Sequence, residues 1–381
     1  MVESEEQGAG REPVQTRKTV AVGDLHGDYS RLTRILYEEG LLIEGTWAWN
    51  PEARGVDLVL IGDYVDWRGE PLEGDPSRWK EGPKRTLHLI YYLFHKLREL
   101  RERWGEEDGF DSYIHPILGN HDQMMLDALQ VFEFMDFDQI NQVISFRQNY
   151  APLKKFLNDI RLDYDQIDKV MKFLNWYYQG GDATIEGFGG MDIWKEEMDG
   201  QLGDFLRNNL LLGCKVNKRL YSHSLPDRRE FWRPIEELME LPEKDRVRAR
   251  EAFIWGRRVW GIDAYTNMKT PQPEMTEINE MLTRMGVEGA VVGHTPMLRR
   301  EPLRAFEGKI INVDLHGIPG SGAFIEEYPV EDPDGCEPVD VSLSDINPGE
   351  ETSDSINPNN DEDTPLPQDE KTETPGDQVE V

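Results

Sequence analysis

Cysteine is scarce in this chain. Two residues in 381, Cys214 and Cys336, cannot build a disulfide framework, and neither stands in a CxxC pair, which sets cysteine chemistry aside. Long apolar runs are missing too. No stretch approaches the ~18 consecutive apolar residues that a membrane span requires, and the acidic start MVESEEQGAG lacks the positive flank and apolar core of a signal peptide. A soluble, cytoplasmic, globular protein is expected. Basic charge is the third shortage: 42 Lys and Arg face 74 Asp and Glu, a net −32. Without a basic stripe, a nucleic-acid backbone is not expected as the main ligand. What is present is 38% hydrophobic and 10% aromatic residues, enough for one large core or two moderate ones.

The negative charge is unevenly spread. From Glu331 to the C-terminus 17 acidic residues face one basic residue, Lys371, a net −16. This segment is rich in Pro, Ser, Thr and Asn and cannot bury enough apolar surface to offset ordering entropy. Disorder is expected over residues 331–381 and over roughly 1–16, leaving 17–330 as one folded domain. The tail reads as a solvating appendage, with a lure for a basic partner or an intramolecular cover as the functional alternatives.

Within 17–330, short apolar runs recur, and each ends on a polar residue. KTVAVGD (18–24), VDLVLIGD (56–63), SYIHPILGN (112–120), NKRLYSH (217–223), GAVVGH (289–294) and GKIINVD (308–314) all read as buried strands. Between them lie the helical patterns YSRLTRILYEEG, PKRTLHLIYYLFHKLRELRERWG and DQMMLDALQVFEF. Strands alternating with helices predict an α/β layered domain whose functional groups gather beyond the strands' carboxyl ends. The stretch from Asn120 to His223 breaks the rhythm, being helical and aromatic with no strand that can be placed. Residues 123–215 are read either as a helical insertion capping the site or as a packed side layer.

Collecting the polar strand ends gives Asp24, His26, Asp63, Asp66, Asn120, His121, His223 and His294. His88 and His95 fall inside a helical pattern and are read as structural. His115 is assigned to the core or to a place behind the ligands, and His316 is left open. Carboxylate, imidazole and one amide oxygen make a mixed ligand set that suits Mn, Fe or Zn better than Ca or Mg. Two metals about 3.5–4 Å apart need a bridging carboxylate, and Asp63, central among the motifs, is the natural bridge. Such a pair binds a phosphoryl group and acidifies a bridging water to hydroxide. The leaving oxygen then needs a proton donor, and His121 stands beside Asn120 with Asp66 available to orient its ring.

The ordered series GDLHGD, GDYVDWRG, GNHD, the His223 strand end and VVGHTP resembles the calcineurin-like metallophosphoesterases, specifically the phosphoprotein phosphatase family in its bacterial-type branch. WYYQGGDATIEGFG (176–189) and GKIINVDLHGIPGSGA are similar to further segments of that branch, so the resemblance covers roughly residues 18–327. It implies a central β-sandwich flanked by helices. It assigns Asp24, His26 and Asp63 to one metal and Asp63, Asn120, His223 and His294 to the other, with His121 as general acid positioned by Asp66. It also implies a two-arginine phosphate clamp: Arg68, and Arg257 or its neighbour Arg258. Two departures stand out. Trp67 separates Asp66 from Arg68, so a bulge must re-aim the arginine, and His-Ser-Leu replaces the usual His-Ala-Gly or His-Gly-Gly after His223, so that loop is expected to follow another course.

The resemblance implies hydrolysis of phosphomonoesters, first of all phosphoserine or phosphothreonine in proteins, with a small phosphorylated compound as the other candidate partner. A nucleotide polyphosphate such as diadenosine tetraphosphate, or a capped RNA end, is the alternative substrate. A degenerate member that binds phosphorylated partners without turnover is the third reading.

Overall fold

The computed structural model describes residues 16–66, 80–108, 110–146, 149–264, 266–315, 318, 320–329 and 339–342, without the side chains of 105–108, 239 and 339–342. Of the residues expected to be disordered, 1–15 and most of 331–381 lie outside them, while Thr16 is described; Trp67, Arg68 and His316 also lie outside.

Strands β1 (Thr16–Val22), β2 (Val56–Leu60) and β3 (Tyr113–Pro116) are buried along most of their length, on residues of both faces, and β1 and β2 end in the apolar runs Val20–Val22 and Leu58–Leu60. Such two-faced burial is expected of parallel strands covered from both sides. β2 pairs in parallel with β1 (Val20↔Leu58) and with β3 (Val59↔His115), and β9 (Phe324–Pro329) adds antiparallel to the far edge of β1. A second, six-stranded mixed sheet is built from β4 (Leu211–Val216), β5 (Arg219–Ser222), β6 (Gly289–Val292), β7 (Leu303–Ala305), β8 (Ile310–Asn312) and β10 (Val339–Ser342), in the order β10-β4-β5-β6-β8-β7. Between the sheets, Ala21, Val59, Ile61 and Ile117 share an apolar cluster with Cys214, Tyr221, Val291 and Ile311, so the two inner faces make a sandwich core. A bridge from Ile117 to Leu211 joins the sheets at the end where the site lies.

Two elements differ from the sequence expectation. β4 falls inside the Asn120–His223 stretch where no strand was placed: its run LLLGCKV follows directly on a helix and holds Gly213, which weakens the strand pattern. Val339–Ser342, within the tail expected to be disordered, instead pairs antiparallel with β4, whose open edge supplies backbone hydrogen-bond partners that tail composition does not reveal.

Helices cover the sandwich: α1 (Tyr29–Glu38), α2 (Gly82–Asp108), α3 (Asn120–Ala128), α4 (Phe137–Ser145), α5 (Tyr150–Asp159), α6 (Tyr164–Trp176), α7 (Asp182–Phe188), α8 (Met191–Asp199), α9 (Gln201–Asn209), α10 (Glu243–Trp255) and α11 (Met275–Arg284). α1 starts because the Asp28 carboxylate accepts the Arg31 N–H at 2.9 Å. α4 and α6 start on capping boxes, Asp136 with Gln139 and Asp163 with Gln166. The helical stretch behaves as a packed layer, since α7 and α9 lie against α2 and α6 against α3. It also reaches the site, through the end of α6 and the start of α7. Trp176 and Trp194, both fully buried, stack at 4.9 Å within it. Among the described residues no helix is long and apolar enough to cross a membrane.

At the opposite ends of the strands from the site lies a separate buried ionic network. Asp57 accepts hydrogen bonds from Arg17 Nη2 (3.1 Å) and Tyr328 Oη (3.0 Å) and pairs with His115 Nε2 (3.1 Å). His115 therefore belongs to the core. His88 and His95 lie on α2, against Glu197 and Tyr91.

Candidate metal centre

Each motif occupies the end of a strand or the first turn beyond it. Asp24 and His26 follow β1, Asp63 and Asp66 follow β2, Asn120 and His121 open α3 beyond β3, His223 follows β5 and His294 follows β6. His26, Asp63, Asp66 and His294 all take left-handed backbone angles, with φ of 45°, 51°, 68° and 65°. A non-glycine residue held there costs on the order of 1–3 kcal/mol, so the surroundings must over-determine each turn. They do so by hydrogen bonds: the Leu25 and His26 N–H groups donate to the Asp63 carbonyl at 3.0 and 2.6 Å. The buried Asp122 carboxylate accepts the Asp63, Tyr64 and Gly119 N–H groups at 2.8–2.9 Å. Burial and the Asp63 charge push Asp122 up to about 8. Gly119 is required at its position, because a Cβ there would lie 2.2 Å from Asp63 Oδ1.

The turns bring ligand-type atoms into two buried groups that share Asp63: His26, Asp63 and His121, and Asp63, His223 and His294, with the atoms of each group within 4.8 Å of one another. Asp63 Oδ2 lies 3.6 Å from His26 Nε2, and Oδ1 lies 3.5 Å from His223 Nε2. The far nitrogens are anchored. His26 Nδ1–H donates to the Val65 carbonyl (3.1 Å) and His223 Nδ1–H to the Ile61 carbonyl (2.7 Å), which leaves each Nε2 lone pair facing inward, the usual arrangement of a ligating histidine. The His223 lone pair meets Asn120 Oδ1 at 3.0 Å. Acceptor atoms crowded together in this way suit a cation. Asp24 stands outside both tight groups, its carboxylate receiving the His294 backbone N–H at 3.0 Å.

Electrostatics point the same way. Burial would raise the Asp63 carboxyl, but His223, His121, His26 and His294 hold it well below the usual carboxylate range. Burial, reinforced by the Asp314 and Asp63 carboxylates, pushes Asp24 well up. Burial, with His223 and Arg257 nearby, drives His294 well down, so its ring stays neutral. An ionised, buried Asp63 beside a neutral His294 is a state in which a cation is accepted, and the mixed N/O set fits a pair of ions sharing Asp63.

His121 differs from the other rings. Its Nδ1 pairs with a carboxylate, Asp66 Oδ2, at 2.7 Å, an anchor that favours the protonated ring. Of the two candidate arginines, Arg257 faces the site, its Nε donating to His294 Nε2 at 2.9 Å. Arg258 turns away to Glu277, 2.8 Å distant. Ser224 Oγ donates to the Phe253 carbonyl (2.7 Å) and accepts the Gly256 N–H (2.9 Å), tying the His223 loop to the turn that carries Arg257. Sequence reasoning passed over Asp122 and Asp314. Asp314 is buried, and its charge acts on Asp24 and Arg257. It is the polar end of the 308–314 run, so the rule that gathered the other residues reaches it as well.

The model of the calcineurin-like phosphoesterase family matches residues 17–298. No curated protein matches the chain. Among solved structures, a cold-active protein tyrosine phosphatase is 20% identical with a TM-score of 0.47, covering 82% of this chain and 73% of its own. Another, the cold-active protein-tyrosine phosphatase of a psychrophilic Shewanella species, is 20% identical with a TM-score of 0.44, covering 82% and 75%.

Proposed function

This chain belongs to the calcineurin-like phosphoesterase family, a family of metal-dependent phosphoester hydrolases, and on that premise we propose that it is a dinuclear phosphomonoesterase acting on phosphoserine and phosphothreonine in proteins. The carrying observation is the pair of buried ligand groups sharing Asp63, with a carboxylate-anchored His121 beside them. In this reading Asp24, His26 and Asp63 hold one ion of the Mn, Fe or Zn class, and Asp63, Asn120, His223 and His294 hold the other. When bound, the ions supply Lewis-acid charge to the phosphoryl oxygens and lower the pKa of water.

The chain's own residues do the rest. His26 and His223 keep their inward nitrogens unprotonated through the Val65 and Ile61 carbonyls. His121, its Nδ1–H given to Asp66, holds the Nε2 proton that passes to the leaving oxygen. Arg257 and Arg68 bind the phosphate oxygens, a task for which a guanidinium fork is well shaped.

The rim favours a monoester over a polyphosphate. A cavity of about 440 Å³ lined by Asp227, Arg228, Arg248, Glu251 and Trp255 opens beside the site, where Trp255 meets the His294 ring edge-on at 5.7 Å. Both of its arginines pair with Glu230, at 3.8 and 2.7 Å. This charge-balanced wall suits a peptide flanking the phosphorylated residue better than a chain of phosphates. The test is kcat/KM with Mn²⁺ on phosphoserine, phosphothreonine and phosphotyrosine peptides and on diadenosine tetraphosphate. A preference of about tenfold or more for phosphoserine and phosphothreonine peptides is expected. A preference for the dinucleotide would overturn the substrate assignment and leave the metal chemistry standing.

A further inference from the structure

Asp66 is fully buried, and its carboxylate is held from three directions. Oδ2 takes His121 Nδ1 at 2.7 Å, while Oδ1 accepts Trp176 Nε1–H at 3.0 Å and the Thr184 hydroxyl at 2.7 Å. The same hydroxyl accepts the Asp66 backbone N–H at 2.9 Å, so Thr184 grips side chain and main chain together. Trp176 and Thr184 are themselves fully buried and come from the end of α6 and the start of α7, 110 and 118 residues along the chain from Asp66. The wide turn between them, Tyr177–Gly181, brings both inward. It passes so close that a Cβ on Gly180, at φ 118°, would lie 3.0 Å from Asp66 Cβ. Trp176 is fixed in turn by its stack on Trp194.

We propose that Trp176 and Thr184 are positioning residues that lock Asp66 and, through it, aim His121 at the leaving oxygen. The proposal rests on the reading of His121 as the proton donor. A carboxylate with one free oxygen can swing about its Cβ–Cγ bond. With Oδ1 engaged by two donors, only Oδ2 remains for His121, and the imidazole inherits that fixed direction. A side-chain lock of this kind costs two buried polar groups that would be unsatisfied elsewhere, which explains why the helical layer sends a tryptophan and a threonine to a residue that lies outside the proposed ligand set. Proton transfer to the leaving group then depends on a layer that touches neither metal nor phosphate.

The experiment is a leaving-group series, from nitrophenyl to alkyl phosphates, read as the slope of log kcat against leaving-group pKa. His121→Asn is expected to steepen the slope, losing about 10²–10⁴ on poor leaving groups and much less on nitrophenyl phosphate. Thr184→Val, which deletes the hydroxyl at nearly constant shape, is expected to lose about 10–100-fold on poor leaving groups, with KM and metal content unchanged. Thr184→Ser, which keeps the hydroxyl, is expected to restore the shallow slope. Trp176→Phe keeps the stack and removes only the N–H, so it repeats the test if Thr184→Val fails to fold. In the His121→Asn background, neither change should cost anything further. A loss of equal size for every leaving group, or a loss that adds in full to that of His121→Asn, refutes the lock. A flat slope for His121→Asn refutes the proton-donor reading and the lock with it, whereas a steep His121→Asn slope with a shallow Thr184→Val slope refutes the lock alone.

Discussion

Replacing Asp63 by asparagine is the perturbation that most separates the sharing carboxylate from its neighbours. Asn has nearly the same shape, and its amide oxygen can still accept the His121 N–H that Asp63 Oδ1 accepts at 2.9 Å, so the fold should persist. What is lost is one negative charge lying 3.5 Å from His223 Nε2 and 3.6 Å from His26 Nε2. An ion held against that carboxylate loses a unit of opposite charge, an attraction of about 4 kcal/mol even at ~4 Å and an effective dielectric of 20. Relaxation and water entry reduce this, leaving a loss of metal affinity on the order of 10²–10³ at each group. The assay is elemental analysis of the purified variant after gel filtration, with circular dichroism to confirm folding. Bound metal is expected to fall from two equivalents to one or none, and activity to vanish. A folded Asp63→Asn protein that retains two tightly bound equivalents would refute the sharing role.

Arg257→Ala should lower kcat/KM about 10–100-fold by removing a charge-assisted phosphate contact, whereas Arg258→Ala, which breaks only the pair with Glu277, should change it little. Steady-state kinetics on the two variants checks the choice, and the reverse order would reassign the clamp. In the network at the far strand ends, burial would raise the Asp57 carboxyl, but His115 and Arg17 hold it below its ordinary value. A carboxyl lowered in the folded state stabilises above its unfolded pKa, near 4, and loses that contribution as pH falls below it. Asp57→Asn should therefore cost about 3 kcal/mol at pH 7, with a smaller gap from wild type at pH 3. Urea unfolding at the two pH values measures it, and an unchanged gap would contradict the assignment.

The site was legible because chemistry and topology coincide at strand ends. In GDLHGD, GDYVDW, GNHD and VVGH an apolar run stops at a turn bearing a carboxylate, amide or imidazole, and the fold requires those ends to face one another across the sandwich. The roles of Thr184 and Trp176 were hidden because their contact with Asp66 spans more than a hundred residues and depends on the turn at Gly180, which local pattern does not encode. Likewise, the adjacent pair Arg257-Arg258 is symmetric in sequence and is separated only by where Glu277 and His294 stand. β4 escaped because its run follows directly on α9 and holds Gly213 in its middle, and the strand at 339–342 because a four-residue edge pairing carries little signal within an acidic, proline-rich tail. Ser224 gives no such signal in the sequence either, since its hydroxyl joins two loops of the site that lie about thirty residues apart in the chain.

The central claim, a phosphoesterase working through two ions that share Asp63, is tested most directly by stripping the purified protein of metal and returning Mn²⁺ stepwise while phosphate release from a phosphoserine peptide is followed. The account expects negligible activity in the stripped protein and recovery that saturates at two equivalents per chain. Full activity after stripping, or saturation at a single equivalent, would contradict it.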